Sequence, residues 1–76
     1  MISKNVSDDL FQVGTRRDRR KAIDVVIRWV ESIRDAEERY MDNVPENLCG
    51  SENYEIAEQA VSILDEVITM LYEVYP

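Results

Sequence analysis

The side chains that could do chemistry in this chain are carboxylates, tyrosines, one thiol and a block of cations. Glu31, Asp35 and Glu38, and the pair Glu55 and Glu58, recur at intervals of three or four. On a helix that spacing places two oxygens on one face, as a magnesium-dependent nucleotide hydrolase or a di-iron bundle would require. A di-iron site also calls for histidine, and the chain has none. The single cysteine, Cys49, has no basic neighbour in sequence to lower its pKa, and it has no second thiol to pair with. Glycine-rich phosphate loops and nucleophile elbows are absent. The expectation is therefore a non-enzymatic protein with no catalytic residue, no metal, no cofactor and no small-molecule substrate.

Charge is the more informative signal. The net charge is −7, yet Arg16, Arg17, Arg19, Arg20 and Lys21 cluster within six residues, and the part of the chain beyond Arg39 carries acids and no base. The basic block has two readings. It can offset the carbonyl end of an antiparallel neighbouring helix, or it can contact nucleic-acid phosphates. The acids Glu55, Glu58, Asp65 and Glu66 would form a surface for a partner with a basic groove, and such a surface can imitate nucleic-acid phosphates.

The elements that must carry these residues are legible from apolar spacing. Ala57, Ala60, Val61, Leu64, Val67, Ile68, Leu71, Val74 and Tyr75 mark one face of a helix over about 52–75, with Ser51 as N-cap and Glu52 and Glu55 in the first turn. An earlier helix over about 16–42 carries Ile23, Val26, Ile27, Val30, Ile33, Glu37 and Tyr40 on one stripe, and Thr15 with Asp18 gives a near-capping box at its start. Their nearly equal lengths predict side-by-side pairing. Residues 43–51 hold Asn43, Pro45 and Gly50, which stop one helix and turn the chain. Leu48 is expected to plug the hairpin end between Tyr40 and Tyr54, and Glu37 to accept a hydrogen bond from the Tyr54 hydroxyl or to sit at the rim. Ile2, Val6, Leu10 and Phe11 suggest a short helix or ordered arm over 1–14.

The predicted fold is all-α: an antiparallel helical hairpin over 15–76 plus the N-terminal arm. Written as heptads with position a at Ile23, Val30 and Glu37 and at Ala57, Leu64 and Leu71, the helices hold more apolar surface than one seam needs. Ile56, Ile63 and Met70 fall at g, and Trp29 flanks the main stripe. Trp29, Ile63 and Met70 are thus candidates for self-association, with a homodimeric four-helix bundle the expected outcome. The heptads also turn Asp35 and Glu55 (f) and Glu31, Glu38 and Glu58 (b) away from the interior, against a metal site. No run of about 20 apolar residues could cross a membrane, and no apolar signal core opens the chain, so a cytoplasmic location is expected. The lone thiol agrees with a reducing compartment.

The stretch from Tyr40 to Tyr54, containing Asn43-Val44-Pro45-Glu46-Asn47-Leu48-Cys49-Gly50-Ser51-Glu52 and followed by Ala57-Glu58, resembles a pattern of small helical-hairpin proteins of bacteriophages and mobile elements of Gram-positive bacteria. That resemblance implies two amphipathic helices joined by this loop, and it transfers no catalytic residue. Cys49 stands where such loops usually carry a polar residue. It further implies an accessory protein of a mobile element that binds a host or phage protein, with the loop tip at Glu46 and Asn47 as a second candidate surface. The expected function is acidic inhibition of a host defence protein by surface occlusion or nucleic-acid mimicry. Nucleic-acid binding through Arg16–Lys21 is the alternative, and a magnesium-dependent nucleotide hydrolase comes third.

Overall fold

A computed structural model describes residues 13–75 and contains two long helices, α1 (Arg16–Asp42) and α2 (Glu52–Tyr72), joined by a loop with one 3-10 turn at Glu46–Leu48. The helices pack antiparallel as a hairpin, and no strand occurs among the described residues. The arm expected over 1–14 lies almost wholly outside the described residues.

Each helix starts where its polar cap dictates. Thr15 is extended, and its Oγ1 accepts a hydrogen bond from the Asp18 N–H at 3.0 Å. Ser51 does the same at α2, accepting from the Tyr54 N–H at 3.3 Å. Each hydroxyl satisfies one of the four N–H groups that a helix start leaves unpaired. At the far end of α1 the Asn43 N–H donates to the carbonyls of Arg39 and Tyr40, both at 3.2 Å. Asn43 caps in a right-handed conformation (φ −95°), so the left-handed cap that asparagine often supplies is not used. Gly50 likewise has no positive φ. The turn is made instead by Pro45, which has no N–H to continue a helix, and by the 3-10 bonds of Leu48 to Pro45 (2.8 Å) and Cys49 to Glu46 (3.2 Å).

That turn corrects the role expected for Leu48. Its backbone is held in the 3-10 turn and its side chain is 49% exposed, while Val44 and Cys49 are the half-buried loop residues. The Cys49 thiol is 3.7 Å from the Pro45 carbonyl, to which it donates. The helix predicted to run to Tyr75 ends at Tyr72.

The seam differs from the expected stripe in an instructive way. Ile27, Ala57 and Ile68 are the buried residues, and Ile23, Val30, Val61, Leu64 and Leu71 are half-buried beside them. In heptad terms these are a and e positions on both helices. Ile33 and Tyr40, which share position d and were expected on the main stripe, are exposed. Arg34, at e, occupies the place on the seam side that Ile33 was expected to take. An a/e seam rotates each helix so that d and g face sideways together, at about 100° per residue.

Candidate interaction surfaces

Because both helices use the same heptad positions for the seam, each flank of the hairpin is built from both helices. Cross-helix contacts fix the assignment. On one flank Arg34 reaches across from α1: its Nη1 donates to Asp65 Oδ1 at 2.9 Å, and its Nε and Nη2 donate to Asp35 Oδ1 at 3.2 and 3.1 Å. Nearer the open end on that flank, Arg20, Asp24, Tyr72 and Tyr75 line one shallow concavity, with the Arg20 guanidinium 5.2 Å from the Tyr75 ring centre. On the opposite flank Tyr40 of α1 and Ile56 of α2 line a common concavity with Glu37, Asn53 and Ala57.

The first flank is polar and acidic. Helical geometry places Asp24, Glu31, Asp35, Glu38 and Asp42 of α1 beside Glu58 and Asp65 of α2, with Arg17, Arg20 and Arg34 as cations among them. Hydrogen bonds that Arg34 donates to Asp65 and then to Asp35, together with the charges of those carboxylates, raise the Arg34 pKa further above its ordinary value, so this arginine is a permanent cation. The bridge remains open to solvent, with side-chain exposures of 25% for Arg34 and 54% for Asp65, so it orients the helices more than it stabilises them.

The second flank is apolar. Trp29, Ile33 and Tyr40 on α1 and Ile56, Ile63, Val67 and Met70 on α2 lie at d or g, Val74 follows in the turn just beyond α2, and all are exposed. Trp29 is 61% exposed and Met70 66%. These eight account for most of the large exposed apolar side chains among the described residues; Val13, Leu48 and Tyr72 are the others. Charge borders this flank at two places: Glu66 lines a concavity with Met70, and Glu37 lines the one shared by Tyr40 and Ile56.

The candidate residues read from sequence thus separate. Trp29, Ile63 and Met70 share one surface. The four acids are all exposed on α2: Glu55 and Glu58 line one concavity and Asp65 and Glu66 another, with Asp65 also joined to Arg34. Of the basic block, Arg20 lies over Tyr75 and Arg19 Nη1 donates to the Val13 carbonyl at 3.0 Å, and all five cations are exposed. Glu46 and Asn47 are exposed on the 3-10 turn. Glu37 is half-buried at the rim of the Tyr40–Ile56 concavity, and no hydrogen bond joins it to Tyr54 among the described residues. No group of three metal-ligating side chains comes together among the described residues, and no helix there is long and apolar enough to cross a membrane. Sequence reasoning did not find the acids of α1 as part of a shared flank, because that needs the cross-helix register that Arg34–Asp65 and Tyr40–Ile56 supply. Set against known proteins, the chain matches no family model, no curated protein and no solved structure.

Proposed function

We propose that this protein is a non-enzymatic binding protein whose acidic flank engages a basic surface on another macromolecule. The observation that carries the reading is the composition of that flank: seven carboxylates from two helices share one face with three arginines, of which Arg34 is tied up in its bridge. A rigid acidic face steers association with a cationic groove and excludes the anion that normally fills it. Nucleic-acid phosphates are such an anion, so inhibition by occlusion of a nucleic-acid-binding site is the mechanism this surface fits. The loop from Asn43 to Glu52 resembles that of phage and mobile-element hairpin proteins, which supports an accessory role directed at a host protein.

The test is capture of partners from a Gram-positive bacterial lysate on immobilised protein, comparing wild type with Glu38→Lys/Glu58→Lys. Both sites are exposed, so circular dichroism should be unchanged. Loss of a captured basic protein in the variant supports the reading; equal capture by both rejects it. The second reading, phosphate binding by Arg16–Lys21, has the exposure of all five cations in its favour. It predicts a salt-sensitive gel shift of DNA or RNA at low ionic strength that Arg16→Glu/Arg17→Glu removes.

A further inference from the structure

The apolar flank needs a cover, and the outer edges of the hairpin indicate which. The edge of α1 carries Lys21, Arg28 and Arg39, separated by seven and eleven residues. The edge of α2 and its C-cap carry Glu73, Glu66 and Glu55, separated, in the reverse direction, by the same seven and eleven. Within one hairpin these edges face away from each other, since the seam lies between them. They meet only if α1 of one copy lies over α2 of another.

We propose that the d/g flank binds a second copy of this chain, apolar face to apolar face, with α1 of each copy stacked on α2 of the other and both loops at the same end. A two-fold axis parallel to the helices produces this arrangement. It brings the three cations of each copy opposite the three carboxylates of the other, within about one helical turn of level. The competing two-fold, perpendicular to the helices, stacks α1 on α1 and α2 on α2. That arrangement sets cations against cations and carboxylates against carboxylates.

Three further features agree. Each helix has two apolar seams about 100° apart, a/e toward its own partner helix and d/g beside it, which is what a helix with two neighbours in a four-helix bundle requires. Within the hairpin, Tyr40 sits level with Ile56. The axis therefore places Tyr40 over Ile56 of the partner subunit and Ile33 over Ile63 of the partner subunit. The flank is also large enough: two helices about 10 Å wide over roughly 30 Å of length give ~600 Å² per copy, or ~1,200 Å² in all, the low end for a specific interface.

The experiment uses the full chain with Cys49→Ser, so that introduced thiols are the only ones. Protein bearing Ile33→Cys is mixed with protein bearing Ile63→Cys, re-equilibrated, oxidised and run without reductant. The proposal expects a dimeric mass by light scattering and disulfides joining Ile33→Cys chains to Ile63→Cys chains. Disulfides that join like to like reject the arrangement, and a monomeric mass at 100 micromolar rejects the interface, whatever else covers the flank, residues 1–12 included. A second pair of variants leaves the apolar flank untouched. Arg28→Glu/Arg39→Glu and Glu55→Arg/Glu66→Arg should each dimerise about 10-fold more weakly alone, and their mixture should form a heterodimer of wild-type affinity. Equal affinity of all species would overturn the pairing of the edges.

Discussion

The two flanks of the hairpin are made by the same two helices, over the same length, and differ only in which heptad positions they expose. The polar flank presents carboxylates and three arginines, one of which bridges to Asp65 and Asp35. The apolar flank presents eight exposed apolar side chains, bordered by Glu37 and Glu66. The polar flank is satisfied in water, because its ion pairs exchange easily with solvent and contribute little either way. The apolar flank is not, because a contiguous patch of this extent on a small protein marks a surface that associates. The difference teaches that one rotation of both helices, from an a/d to an a/e seam, divides the labour of the molecule.

The most damaging way to break this division is to remove the seam that holds both flanks in place. With Ile27, Ala57 and Ile68 as the buried apolar residues, Ile68→Ala should cost about 2–5 kcal/mol and unfold a large fraction of the chain, read by thermal loss of helical circular dichroism. Next in size is a matched pair of double substitutions, one on each flank. Ile63→Gln/Met70→Gln should shift the protein to monomers, whereas Glu38→Gln/Glu58→Gln should leave its mass unchanged, both followed by light scattering. Both sets keep good helix formers, so helix content reports folding separately.

Capping comes third. Ser51→Ala and Thr15→Ala each remove the acceptor of one N-terminal N–H and should cost about 1 kcal/mol in denaturant melts. The smallest effect belongs to the bridge across the polar flank. Arg34→Gln should lower the melting temperature less than either cap variant, and the difference should shrink further in 1 M salt. Because the Arg34 pKa is raised in the fold, the bridge's contribution is complete below the ordinary arginine value and fades only as pH climbs through the folded one. A melt at pH ~10 should therefore still distinguish wild type from Arg34→Gln.

Much of this was legible in the residues themselves. Thr15, Ser51, Asn43 and Pro45 announce where the helices begin and end, since each satisfies or lacks a particular backbone group. The surplus of apolar positions at Ile56, Ile63 and Met70 was equally visible. What periodicity alone could not choose was the rotation of each helix. An a/d and an a/e stripe fit the same apolar residues, and the choice between Ile33 and Arg34 at the seam depends on Asp65, 31 residues away in sequence. Leu48 was misplaced because apolar character alone does not reveal the 3-10 turn after Pro45, in which Leu48 is exposed.

The account rests most heavily on the uncovered flank having a second chain as its cover. Sedimentation of the full-length protein at micromolar concentrations decides the matter: we predict a particle of twice the 8.9 kDa chain mass, dissociating on dilution as Trp29 emission shifts to the red. A particle of single-chain mass at every concentration, with Trp29 emission fixed, would contradict it.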